Sequence, residues 1–579
     1  MYLFNINKMK KYFLLMLTCC FLATSCKKYL DEQPQGTVSD NDLNTPENVD
    51  KMLIAAYSAL GNDAFTAPYS DLWSYGSVRS GDAYKGGDGP GDVGDFHAYE
   101  TFALNRVDLG ASDQTWFRLY IGVGRANDAL RRINDMTDAA YPTKKVRQAE
   151  AKFLRAHFYF LLKILYKHVP YIDENVPKVG YDTVSNRSYT SDQLWTKIAN
   201  DFRTAADNLP ATQSDKGRIN KYAAKAYLAK TLLYQAYTQD DNNNVTGIDK
   251  TKLTEVVSLC DEVTAGGYTL YPDYADNFLS QFDNGAESVF AIQYSINDNT
   301  PFGRIDNGHS LNYPMNKEYG CCGFHVPSYN LINAFSTTSQ GLPDFAGYNN
   351  KEIAKTGDYK TPTFDPRMDH TAAIPGHPYK YRSSFIYQNS WSRAPQIYGP
   401  MLSLKEVVLF DDPAFKRFPP FMSSAKNWMV VRYADVLLMK AEALIELGRE
   451  LEAVPLINAV RTRAANSTSM LKMTDGSFTS NYLINTYQPG VNCIWTNDYA
   501  RQALRFERRL EFAMEGYRFF DLVRWGIAAE YLNTYFTKEK TRVTHLNDAT
   551  FKKNRDEYLP IPLNQINFSK GLYKQNPGW

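Results

Sequence analysis

The sequence predicts a mostly α-helical protein whose helices come in short-turned pairs, interrupted by one long, irregular, loop-rich lobe. Three observations carry that expectation. Apolar residues recur at three- and four-residue steps through most of residues 41–265 and again after about residue 425. Short turns separate several of these segments, as Glu446-Leu447-Gly448-Arg449 does. The stretch between, from about Gly266 to Ser424, is rich in Gly, Pro, Asn, Tyr and Phe and holds no sustained period.

At the start, Lys8, Lys10 and Lys11 precede an apolar run from Tyr12 to Leu22, followed by the small residues Ala23, Thr24 and Ser25. This is a secretory signal and not a membrane span, because crossing a bilayer takes about 20 apolar residues. The small residues run into Cys26, so residues 1–25 resemble a bacterial lipoprotein signal, with Cys26 carrying the lipid; Ala23 stands where such signals usually have Leu. The alternative is an ordinary signal peptide with Cys26 incidental. Residues 26–40 then read as a tether.

Helices are expected over Glu47–Leu60, Gln114–Ile133, Lys144–Tyr166, Ser191–Leu209, Tyr222–Ala236, Lys252–Ala265, Val430–Gly448, Glu450–Ala465 and Asp498–Gly516. In Lys144–Tyr166 the stripe is Val146, Ala149, Phe153, Ala156, Phe160 and Ile164. Alternating small and large residues let such helices approach closely. The pairing is that of tetratricopeptide-type helical hairpins, degenerate because no strict repeat survives. Without a Pro/Ser/Gly linker to cut at, residues 41–579 are expected to form one body. Its scaffold is 41–265 with 425–579, and its lobe is about 266–424.

With 64 basic and 63 acidic residues the formal charge is +1, and no cationic block stands out, which excludes nucleic acid as a partner. Beyond Cys19, Cys20 and Cys26, the cysteines Cys260, Cys321, Cys322 and Cys493 are too few for a disulfide framework. The adjacent pair Cys321-Cys322 is either a vicinal disulfide or two thiols. Hydrolase, metalloprotease and phosphate-loop patterns are missing and the histidines lack ligand spacing, so no catalytic residue, metal or cofactor is expected. Glu507, Glu511 and Glu515 share a helical face, which suggests paired carboxylates for glycoside hydrolysis. Arg505, Arg508, Arg509 and Arg518 interleave with them, so charge pairing along and between helices is the simpler account. The Gly86–Asp95 and Asp240–Asn244 segments are rich in oxygen ligands, but their spacing fails the calcium-loop pattern.

Much of the aromatic content, 41 Tyr, 32 Phe and 8 Trp, must be core, but an exported protein also uses flat rings to hold a flat ligand. A sugar presents C–H bonds on its face and hydroxyls at its rim, so it needs an aromatic platform flanked by polar side chains. Two clusters have that composition. The first is Trp73, Tyr75, Arg79, Asp82, Tyr84, Phe96, His97 and Tyr99. The second is Arg304, Asp306, Asn307, His309, Asn312, Tyr313, Tyr319 and Phe324, with Trp391 and Arg393 further on. Trp73 and Trp391 are favoured because polar, Gly-rich turns flank them.

Five motifs in order carry a family resemblance: RYADVLLMKAEA at 432–443, VRTRA at 460–464, ERRLEFAMEGYRFFDLVRWG at 507–526, LPIP at 559–562 and QNPGW at 575–579. Tyr29-Leu30-Asp31 after Cys26 and Phe153-Leu154-Arg155-Ala156 running to Val169-Pro170-Tyr171 agree. Together they resemble the SusD/RagB family of outer-membrane nutrient-binding lipoproteins. The resemblance implies a lipid-anchored protein on the surface of a Gram-negative outer membrane. Such a protein captures glycan, or in some members peptide, and delivers it to a SusC-type TonB-dependent transporter; it is not an enzyme. A scaffold that binds only protein, and a hydrolase, are the readings from other classes.

Overall fold

The computed structural model describes Lys10 and residues 43–579 apart from Phe302; the signal, Cys26 and the tether lie outside the described residues. The scaffold helices are α1 Pro46–Ser58, α2 Gly94–Thr101, α3 Gly110–Asp135, α4 Lys144–Tyr166, α5 Ser191–Asn208, α6 Lys221–Ala236, α7 Lys250–Thr264, α8 Tyr433–Glu446, α9 Glu450–Asn466, α10 Asn497–Glu511, α11 Arg518–Arg524 and α12 Ala528–Glu539. Several of their starts are set by local chemistry. Thr190 and Gln193 close a reciprocal capping box on α5, while Asn220, Asp249 and Thr496 accept first-turn amides of α6, α7 and α10.

Successive helices pack on one another from α3 to α7, as the expected hairpins require. The array then continues across the lobe: α7 packs on α8, which packs on α9 and α10. Tyr433 Oη lies 3.2 Å from Thr264 Oγ1, so the two sides of the interruption touch. Aromatic contacts fill the seams, including Phe202 stacked on Tyr227 at 4.5 Å. No helix of the described residues is long and apolar enough to cross a membrane.

Of the boundaries that differ from expectation, two have a clear physical cause. Val430 belongs to a strand, Trp428–Arg432, that pairs antiparallel with Ser288–Ile292 before α8 begins. The β-branched pair Val430-Val431 suits the ladder and is buried there. Helix α10 stops at Glu511, after which Met514 (φ 64°) and Gly516 (φ 81°) turn the chain. Gly516 is obligatory in that turn, because a Cβ would strike the Asp71 carbonyl, and a Cβ on Gly76 would strike Gly516 itself. The lobe is built from short strand pairs, Pro378–Tyr379 with Arg382–Ile386 and Phe415–Phe418 with Phe421–Ser424 among them.

Glu507, Glu511 and Glu515 are buried in a network of ion pairs. Arg367 reaches Glu507 at 2.7 Å and Glu511 at 2.9 Å. Arg461 takes Glu507 at 3.0 Å, and Arg432 takes Glu287 at 3.0 Å and Glu515 at 2.9 Å. Arg432 and Arg463 also bind Glu511, and Lys405 reaches Glu515 at 2.8 Å. The expected partners were different. Arg508 turns to Asp435 and Asp521, Arg509 to Asp82, and Arg505 and Arg518 lie over the Trp525 ring. The glutamates are thus paired by other elements, and the network ties the lobe (Glu287, Arg367, Lys405) to α9 and α10.

Candidate functional site

The structure places most of the sequence-picked ligand residues in the core. Trp73, Tyr75, Arg79, Tyr84 and Tyr319 are fully enclosed, and Asp82 and Tyr313 are 1 % exposed. Each has an internal task. Trp73 Nε1 donates to the Gly308 carbonyl at 3.0 Å, and the Tyr75 hydroxyl shares a 2.6 Å hydrogen bond with Thr115. Arg79 lies 3.9 Å over the Phe519 ring and donates to the Asp556 carbonyl, and burial lowers it to about 10. Asp82 is paired with Arg509, Tyr84 bonds Glu539, and the Tyr319 hydroxyl donates to the Val408 carbonyl. Side chains so enclosed present nothing to a ligand, and Phe96, Tyr99 and Phe324 are buried with them. Gly76, which follows Trp73 by three residues, serves close backbone packing against Gly516, not exposure.

The two loops with calcium-like composition are each folded around an ammonium. Lys85 Nζ donates to the carbonyls of Gly86 (2.9 Å), Gly89 (2.8 Å) and Asp92 (2.6 Å). Lys167 Nζ donates to the Asp240 carbonyl and to Asn243 Oδ1, both at 2.6 Å. Burial lowers both lysines to about 8. The oxygens that sequence offers to a cation are therefore used by an internal one.

The two sequence clusters do meet in space. Strand Ala83–Gly86 pairs with Phe324–Pro327, Gly87 N–H donates to the Gly323 carbonyl at 3.0 Å, and Arg393 pairs with Asp92 at 3.1 Å. Beside this junction Cys321 and Cys322 are joined as a vicinal disulfide. Trp391 lies along the same edge, its carbonyl accepting the Met315 N–H at 2.8 Å. Trp391 is half-buried, and its ring contacts Phe385 at 4.7 Å; Phe385 contacts Phe410 at 5.4 Å. All three rings are partly exposed and rest on a buried floor of Tyr379, Tyr387 and Tyr319.

Polar groups rim this shelf. Arg382 sits over Phe410 at 5.5 Å and pairs with Asp411 at 2.8 Å, a hydrogen bond that raises its own basicity and lowers that of the carboxylate. Gln388 and Asn389 are exposed on the turn that carries Trp391. A platform of rings with amide and guanidinium groups at its edge can stack on an apolar face and hydrogen-bond a hydroxyl rim. A second aromatic group crowns the Phe415–Ser424 hairpin: Phe421 lies 4.8 Å from Phe65 and 6.0 Å from Phe418, all partly exposed. Of the named candidates, Trp391, Asn307, Arg304 and Arg393 retain exposure. Phe385, Phe410, Phe418, Phe421 and Phe65 were missed, since a phenylalanine in an irregular segment carries no sequence mark of its exposure. The nearest to a signal is the Phe418-Pro419-Pro420-Phe421 turn, which holds two rings at a hairpin tip.

A separate cleft of about 90 Å³ lies in the scaffold, lined by Trp195, Tyr234, Gln235, Arg524 and Tyr558 among others. It is a rival location, with fewer accessible ring faces.

Residues 286–579 match the SusD family, and residues 28–233 match a family described as starch-binding, associating with the outer membrane. A SusD-like protein of Bacteroides ovatus is 26% identical over 531 residues, covering 89% of this chain and 83% of its own. A SusD-like crystal structure from Bacteroides fragilis superposes with a TM-score of 0.68 at 21% identity, covering 94% and 99% of the two chains. Surface glycan-binding protein A from Bacteroides thetaiotaomicron, solved with laminarihexaose, gives 0.61 at 20% identity over 92% and 99%. The helical array, its interrupting lobe and the family match over half the sequence lead to one conclusion: the chain belongs to the SusD family.

Proposed function

We propose that this protein is a cell-surface glycan-binding lipoprotein that captures oligo- or polysaccharide and delivers it to a SusC-type TonB-dependent outer-membrane transporter, without chemical turnover. The observation that carries the reading is the partly exposed shelf of Trp391, Phe385 and Phe410 with its rim of Arg382, Asp411, Gln388 and Asn389. In this reading residues 41–265 and 425–579 are the scaffold, about 266–424 the ligand-binding lobe, and Cys26 the lipidated residue that anchors the protein in the outer membrane. A laminarin-binding SusD-like protein and the laminarihexaose complex among the structural neighbours lend support to a glycan ligand. The openness of the shelf favours a sugar over an extended peptide, the ligand of the alternative reading, which would ask for a deeper, more apolar groove.

The test is calorimetric titration of the soluble chain starting after Cys26 with laminarihexaose, other plant, host and microbial glycans, and mixed peptides. Binding of one glycan class, weakened by Trp391→Ala and Phe385→Ala, is the expected result. Truncating a ring at the centre of a binding platform typically costs about 2 kcal/mol or more, or some thirtyfold in Kd. Glycan binding that survives both substitutions and is lost with Trp195→Ala would move the site to the scaffold cleft. Heat with peptides alone would replace the glycan reading.

A further inference from the structure

We propose that Asp63, Asp71, Asp306 and His309 hold a divalent cation that fastens the lobe to the scaffold. All four are buried, at 5 %, 1 %, 3 % and 3 % exposure. One ligand atom from each of Asp71, Asp306 and His309 lies within 4.8 Å of the others, so a small movement brings all three onto one ion. Asp63 faces the same point. A Cβ built on Gly308 would lie 2.5 Å from Asp71 Oδ2, 3.3 Å from Asp306 Oδ1 and 3.5 Å from the Asp63 carboxyl carbon. Three carboxylates thus converge on a spot that only glycine leaves open.

The charges are not balanced from within. His309 spans the site, with Nδ1 at 2.6 Å from Asp306 and Nε2 at 2.9 Å from Asp71, and a protonated ring offsets one negative charge of three. Among the described residues no Lys or Arg forms an ion pair with Asp63, Asp71 or Asp306. Asp63 Oδ1 accepts the Tyr69 and Ser70 amides, yet its Oδ2 is buried with no hydrogen-bond partner, while Asp71 Oδ2 faces the His309 ring alone. An unmet carboxylate oxygen in the interior is costly and calls for a cation.

Three carboxylates and one imidazole form a donor set suited to Mn²⁺ or Zn²⁺. The ion would join the loop after α1 (Asp63, Asp71) to the lobe segment 306–309, whose Gly308 carbonyl already accepts from Trp73.

The test uses the soluble chain after dialysis against EDTA, titrated with MnCl₂ and separately ZnCl₂ by calorimetry. One equivalent bound, and binding at least tenfold weaker in Asp306→Asn and Asp63→Asn, is expected. Elemental analysis of desalted wild-type protein after loading gives the same stoichiometry independently, should a variant not fold. No saturable binding of either ion by the wild type, or equal affinity in both folded variants, overturns the proposal.

Discussion

Glu511→Gln removes one negative charge from the network between lobe and scaffold while keeping the shape of the side chain. Around it Arg367, Arg432, Arg461, Arg463 and Lys405 are matched by Glu287, Asp365, Glu507, Glu511 and Glu515, so the native cluster is neutral. Glu511 itself contacts three guanidinium groups, those of Arg367, Arg432 and Arg463. Burial works against its ionisation, but those arginines outweigh burial and hold the carboxyl far below its usual range. The substitution therefore leaves one cationic charge enclosed without a counter-charge, a change that typically costs about 3–5 kcal/mol. With an unfolding entropy of about 2.1 cal/mol/K per residue, the described body gives about 1.1 kcal/mol/K, so Tm should fall by roughly 3–4 °C. Differential scanning calorimetry reads this directly, and pairing the change with Arg463→Met should recover part of the loss by restoring neutrality. A fall of less than about 1 °C would refute the reasoning and mean that water reaches the cluster.

Three further outcomes are expected. Burial raises Glu442, but Arg524 outweighs it and lowers the carboxyl to about 2; Asp435, buried beside Lys230 and Arg508, is likewise lowered to about 2. Both folded values lie below the unfolded ones, so their stabilisation is complete above about pH 4.5 and is lost as pH falls toward 2; Tm measured from pH 7 to 2.5 should drop in that window, less steeply in Glu442→Gln. Alkylation of the denatured soluble chain should modify Cys260 and Cys493 alone without reductant and Cys321 and Cys322 only after reduction, and in the native state Cys493 should react first because Cys260 is buried. Gly516→Ala combines a left-handed φ of 81° with a backbone collision and should sharply reduce soluble yield, whereas Gly448→Ala, at the same φ with nothing within 4 Å, should cost only about 1–2 kcal/mol in urea titration.

The scaffold was legible where one helix face meets a partner and the other meets water. The bounds of α4 match the expected Lys144–Tyr166, and α5 differs by one residue, its start marked by the Thr190 cap. Helix α2 gave no such signal because its residues from Phe96 to Thr101 are all buried, and a helix enclosed on every side has no polar face to set a period. The site was less legible. Around Trp73 the polar residues Ser74, Ser77, Arg79 and Asp82 imitate a surface loop, yet all are buried, most with partners far along the chain. Trp391 has the same local composition and is partly exposed, since its neighbours Gln388, Asn389 and Ser390 meet solvent. What separates the two is tertiary partnering, which short-range composition does not encode.

The interruption between α7 and α8 bears on how such proteins diversify. The pairing of Ser288–Ile292 with Trp428–Arg432, and the contact of Thr264 with Tyr433, close the neck of the insertion, so the helical array runs on as though nothing had been spliced into it. Chain closure penalises extra length weakly, about 0.6 kcal/mol for each doubling. Exposed turns of the lobe, such as the Phe418–Phe421 hairpin tip and the turn that carries Trp391, can therefore change length or sequence, while Arg367, Lys405 and strand Phe324–Pro327 stay held against the scaffold. Such turns can vary without re-solving the folding of the helical array.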